Sequence, residues 1–172
     1  MKKRRTEATM SLNQVYDEVL ENVGYLEEAL IGLRYEGKAL RGKNLKKVHD
    51  VLEFLDVKLA PFVILEEEII FPFIEAHIPR MNSLVCLLKA QHKELKENLE
   101  RFKSLFGKLD HENFDAENGK VLEKLRGQGT YLVHLIRHDI QVKSQSIYKI
   151  AGRELREDEK EELEEKAKMT YK

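Results

Sequence analysis

The sequence has one cysteine, three prolines, no tryptophan and no apolar run of the ~18 residues that a membrane span requires. A lone cysteine excludes an internal disulfide and a cysteine zinc knuckle, and it suits a reducing cytoplasm. Neither sign of charge prevails, with 30 Lys and Arg against 31 Asp and Glu, so no overall field draws the chain to nucleic acid or an anionic membrane. A glycine-rich phosphate loop, a nucleophile elbow and an HExxH helix are all missing, which removes the commonest enzyme signatures. The opening MKKRR is basic, but the polar EATMSLNQ behind it is not a signal peptide's apolar stretch.

What is present is helix-forming. Few prolines, nine glycines and abundant Glu, Lys and Leu predict an all-α protein, and 172 residues suffice for one domain. Apolar residues recur at steps of three and four in four segments. The first stripe runs Leu12, Val15, Val19, Val23, Leu26, Leu30 and Leu33. The second runs Val48, Leu52, Leu55, Leu59, Phe62, Glu66, Ile69 and Phe73. Met81, Leu84, Leu88, His92, Leu95, Leu99, Phe102 and Phe106 make the third. In the fourth, Leu122, Leu125, Gly129, Leu132 and Ile136 lead to Asp139, Lys143, Ile147 and Ile150.

Turn-rich RYEGKALRGKN, HIPRMNS and LDHENFDAENGK mark the connections. Pro79 belongs near the start of the third helix, whereas Pro61 and Pro72 predict a kink or an early end of the second. Short connections between long amphipathic helices point to an up-down-up-down antiparallel four-helix bundle. The expected organisation is a flexible basic start at 1–10, the bundle at 11–155, and a charged helical extension or tail at 156–172 with too few apolar residues to pack.

Polar residues interrupt the stripes near the middle of each helix: Glu66, His92, Asp139 and Lys143, with Asn22 at the edge of the first. In an antiparallel bundle they meet at one depth, as a buried polar layer. Three glutamates stand together in APFVILEEEIIFP, and the spacing turns Glu66 inward and Glu67 and Glu68 toward a neighbouring helix or solvent. A carboxylate so placed must be protonated, ion-paired or bound to a cation.

APFVILEEEIIFPFIE resembles the second helix of hemerythrin-like domains of the HHE cation-binding type, P-H-F-x-x-E-E-x-x-L-F-P. KAQHKEL is similar to their third-helix E-H-x-x-L, and HDIQVKSQSIYKIAGREL to their fourth-helix H-I-x-x-E-D-x-x-L-Y-x-x-A. The resemblance covers about residues 12–155. It implies a bundle whose histidines and carboxylates hold two iron ions or another metal pair, in some members to bind O₂ and in others to sense iron or redox state. Position by position it makes Glu66 and His92 ligands, and Glu67 a ligand of the kind used in some members. It also marks departures. Phe62 stands in place of the second-helix histidine, Asn22 roughly in place of the first-helix histidine, Asp139 in place of the fourth-helix histidine, and Lys143 in place of the carboxylate one turn later.

An ammonium has no lone pair to give a metal, so Lys143 is expected to replace the metal's charge and bridge the inward carboxylates. His134 offers another register, because His134 and Asp139 have the His-x4-Asp spacing of oxygen-carrying hemerythrins; His134 and His138 otherwise form an outer-face pair. Cys86 reads as small core filler, and His49, His77 and His111 as solvated or capping residues.

Two functions follow. One is a non-enzymatic scaffold, interaction or sensing module that has lost its dimetal centre and needs no cofactor. The other is a cation- or O₂-binding protein with a reduced set (Glu66, His92, Asp139, Glu67, His134) for iron or another divalent metal. A second copy or another protein is the partner class left open.

Overall fold

The three-and-four spacing of apolar residues becomes helix in a computed structural model of the protein that describes residues 7–112 and 115–171, with side chains from residue 13 onward. The architecture is an all-α helical bundle. Helix α1 (Glu7–Tyr35) packs on α2 (Lys38–Phe54) and on α6 (Ala116–Gln145), which in turn packs on α5 (Asn82–Gly107). Of the expected flexible start, residues 1–6 lie outside the described residues and the rest belongs to α1.

The first connection is much shorter than RYEGKALRGKN suggests, since only Glu36 and Gly37 separate α1 from α2. Asn44 donates from Nδ2 to Glu36 Oε2 at 2.8 Å and seals this turn. Gly32 makes room for it, as a Cβ there would lie 2.5 Å from Asn44 Nδ2.

Residues 38–77 stay helical through both prolines, which corrects the expected early end. Two wide turns of π type, Leu55–Leu59 and Glu66–Ile70, precede α3 (Ala60–Leu65) and α4 (Phe71–His77). Each closes on a bond five residues long, Ala60 N–H to Leu55 O and Phe71 N–H to Glu66 O. Pro61 and Pro72 come directly after these bonds, so the widened backbone absorbs both the missing N–H and the ring's pressure on the preceding turn. The second wide turn also advances the inward register. After Glu66 the fully buried residues are Ile70, Phe71 and Ile74, while Ile69 moves to the edge of the core.

A short 3₁₀ turn, Pro79–Met81, leads into α5, and Asp115 caps α6 by accepting the Asn118 N–H at 2.8 Å. α6 packs tightly on its neighbours at Gly129, where a Cβ would lie 2.7 Å from Leu30 Cδ1 and 2.8 Å from Phe102 Cε2. At Ser146 the helix breaks (φ −117°, ψ −90°) before α7 (Ile147–Glu154). The Ser146 hydroxyl bonds back to Val142 O at 2.5 Å, competing with the backbone ladder as serine does where helices bend.

The last segment forms α8 (Glu157–Thr170), opened by Glu159 accepting the Arg156 N–H. Contrary to the expectation that it cannot pack, Leu163, Ala167 and Tyr171 lie against the core. They are four residues apart and share one face. Tyr171 meets Phe62 edge-on at 5.9 Å and donates to Lys58 O at 3.2 Å, and the Lys166 ammonium lies 5.2 Å from the Phe73 ring. Among the described residues no helix is long and apolar enough to cross a membrane.

Candidate functional site

The interruptions of the apolar stripes do meet. Glu66 opens the second wide turn, His92 lies midway along α5, and Asp139 and Lys143 lie one turn apart on α6; all four are buried. Their centre is the Lys143 ammonium. Its Nζ is 2.7 Å from Glu66 Oε2, 2.6 Å from Asp139 Oδ2 and 3.2 Å from His92 Nε2. Glu66 Oε1 accepts short hydrogen bonds from the Tyr16 hydroxyl of α1 and the Tyr148 hydroxyl of α7.

His92 is held on its far side. Its Nδ1 lies 3.0 Å from Glu67 Oε1, and Glu67 Oε2 accepts from Lys96 at 2.9 Å. With Nδ1–H given to Glu67, Nε2 points into the layer, 3.2 Å from Glu66 Oε2 and 3.7 Å from Asp139 Oδ1. Phe71 stacks on the ring at 5.5 Å. Such a carboxylate behind an imidazole fixes the ring's orientation as firmly here as it does behind a metal-bound histidine.

The layer is electrostatically matched. Burial pushes the Glu66 carboxyl up, but the Lys143 charge, with His92 close by and the Lys143 hydrogen bond, outweighs it and brings the pKa down to about 2. Burial likewise pushes Lys143 down, and the charges of Glu66 and Asp139 overcome it and raise the ammonium above its ordinary value. Burial first, and then the Glu66 charge, lift Tyr148 well above the usual phenol range; Tyr16 is lifted by burial, by Tyr148 and by Glu66. Both tyrosines therefore act as neutral donors to a charged acceptor, the stronger kind of hydrogen bond.

Glu66, His92, Asp139 and Lys143 are thus brought together as the sequence suggests, with Glu67 one step out and Glu68 exposed. Phe62 serves the layer as a wall, meeting Tyr16 edge-on at 5.3 Å and Tyr171 edge-on at 5.9 Å. Asn22 is not part of the layer. It is half-buried and donates to Glu18 O on its own helix at 2.9 Å, because α1 presents Tyr16 to the site instead. His134 is also not part of it: one turn of α6 rotates it to the exposed face, where it stacks on His138 at 6.5 Å. Cys86 is exposed beside Asn82, and Val85 takes the core position expected of it. His49, His77 and His111 are exposed.

Tyr16 and Tyr148 are the functional residues that sequence reasoning passed over. A signal for Tyr16 exists, since positions 12, 16, 19, 23, 26, 30 and 33 alternate steps of four and three more evenly than a stripe through Val15. Tyr148 lies in IYKIA, but its inward aim depends on the break at Ser146, which no spacing rule reveals.

Chemically, the arrangement is a cation seat. Glu66 Oε2, Asp139 and His92 Nε2 converge from three helices, and Asp139 Oδ1 is buried without a hydrogen-bond donor. The other described group of metal-binding residue types, His49, Asp50 and Glu53, lies exposed on α2, where acidic groups ordinarily pair with solvent and lysines. In the comparison with protein families, the model of the hemerythrin HHE cation-binding domain matches residues 13–150. No curated protein matches the chain.

Proposed function

The chain belongs to the hemerythrin HHE cation-binding domain family, and from that premise we propose that its site carries its own cation, the Lys143 ammonium. On this reading the domain is a non-enzymatic scaffold, interaction or sensing module. One observation carries it: Lys143 Nζ sits 2.6–2.7 Å from two buried carboxylates, at the point where the candidate ligands converge.

The residues present do not fit a pair of metal ions. Phe62 contributes no donor atom, and Lys143 in its raised, protonated state has no lone pair. A metal would need ligand atoms at about 2.0–2.2 Å from the very position the ammonium holds. Its entry would require Lys143 to withdraw or to lose a proton that Glu66 and Asp139 favour. Nor do the tyrosines offer a ready base or nucleophile, since burial holds both neutral.

A second reading rests on Asp139 Oδ1, which has no donor. It has Glu66, His92 and Asp139, backed by Glu67, hold one divalent ion such as iron, with Lys143 displaced. The single cysteine and balanced charge agree with a cytoplasmic protein that does not bind nucleic acid.

Metal analysis of protein purified without an affinity column, with an absorption spectrum under air, tests the pair of readings. The first expects a colourless protein with well under one metal per chain and a melting point indifferent to iron, manganese and zinc. One tightly held divalent ion per chain would overturn it in favour of the second reading, and two irons per chain with a near-ultraviolet oxo-bridge band would overturn both.

A further inference from the structure

Between α8 and the bundle, walled also by α1, α3 and α7, the structure leaves a cavity of about 440 Å³. We propose that this cavity binds a single-chain amphiphile, its hydrocarbon body inside and one carboxylate head at the rim. The volume falls within the roughly 300–1,000 Å³ typical of small-molecule pockets.

The hydrocarbon body is argued from the inner wall. Val15, Phe62, Leu65, Ile70 and Leu155 line it. Tyr16 and Tyr148 line it too, but both hydroxyls are engaged by Glu66 and leave their rings to the cavity. A polar group placed deep inside would find these donors taken, and an unpaired buried polar group is costly. Leu163, Ala167 and Tyr171, the apolar face of α8, all line the same space and are half-buried. Facing them, Ala151 and Gly152 of α7 are small, and a Cβ on Gly152 would meet nothing within 4 Å.

The anionic head is argued from the rim. Lys149, Lys160 and Lys168 line the cavity against one carboxylate, Glu164. Lys160 pairs with Glu157 at 2.7 Å and Lys168 with Glu164 at 3.1 Å, which leaves the excess positive charge of the lining to the exposed Lys149. A carboxylate there completes the charge pattern, whereas an ammonium head would meet repulsion.

The inference stands on the cavity and holds whether Lys143 or a metal answers Glu66. Its test uses the full chain with anilinonaphthalene sulfonate as fluorescent reporter, displaced by decanoate, decanol or decyltrimethylammonium. Decanoate should displace the reporter saturably, decanol up to about fivefold less well, and the cation not at all, about fivefold being the upper end of what one rim charge pair supplies. Gly152→Leu and Ala167→Phe, which fill the space from opposite walls, should each abolish displacement while circular dichroism and the melting curve show a folded bundle. Lys149→Glu with Lys160→Glu should weaken decanoate and leave decanol unchanged. Absence of saturable displacement, equal potency of decanol and decanoate, or undiminished binding in either filled variant would overturn the proposal.

Discussion

Two stretches of α6 bury themselves in opposite ways. At Gly129 the helix closes on the hydrocarbon of Leu30 of α1 and Phe102 of α5, with the neutral Gln128–Asn98 hydrogen bond beside it. Around Lys143, farther along the same stripe, the surrounding helices supply a hydroxyl, a carboxylate, an imidazole and a second hydroxyl from Tyr16, Glu66, His92 and Tyr148. The apolar stretch depends on volume, so its parts are replaceable by others of similar size. The polar stretch depends on each partner's charge, so losing one strands the others.

Removing the central charge should therefore have the largest effect. Lys143→Met leaves Glu66 and Asp139 buried and unpaired and should destabilise by about 3–5 kcal/mol, a fall in melting temperature of roughly 6–20 °C. Neutralising the carboxylates as well, with Glu66→Gln and Asp139→Asn, should restore much of that loss. An unchanged melting point in Lys143→Met would erase the distinction between the two stretches.

Acid should act on the same layer. Glu66 has a folded pKa of about 2 against an ordinary 4.5. A depressed carboxyl contributes stability that is fully present above the unfolded value and lost as pH falls through the folded one, here between about pH 5 and pH 2. Lys143, Tyr16 and Tyr148 are raised, so their contribution is present below their unfolded values and lost as pH climbs above about 10. Denaturant melts across pH should show both edges, and Glu66→Gln should remove much of the acid one. A wild-type acid edge matching that of Glu66→Gln would show that the charge is not held as described.

At the apolar stretch the expected effect is smaller. Gly129→Ala pushes a methyl toward Leu30 and Phe102 and should destabilise by about 1–3 kcal/mol, with no change in pH dependence. Smallest of all, His134→Ala on the exposed face should stay within about 0.5 kcal/mol. A large loss there would connect the outer histidines to the layer.

The sequence makes the layer legible because burial and period leave little choice. Glu66, His92, Asp139 and Lys143 sit where hydrocarbon is due on amphipathic helices, and four such exceptions at one depth must answer one another. What surrounds them is less legible. Tyr16 satisfies the helical period but looks like ordinary core, since an aromatic on an apolar face carries no mark of the hydroxyl's partner. Tyr148 and the residues after Glu66 depend on the break at Ser146 and on the wide turns before Pro61 and Pro72, which shift register by less than any propensity can resolve. The packing of α8 escapes notice because three half-buried residues among many charges fall below the contrast of a core helix.

The most direct measurement is nitrogen-detected NMR of the lysine side chains, with the Lys143 signal assigned by Lys143→Arg and followed as manganese(II) is added. The account predicts an ammonium whose protons exchange slowly, which stays charged above the ordinary lysine value and is untouched by one equivalent of metal. A neutral amine near pH 7, or a signal quenched stoichiometrically by manganese, would contradict it.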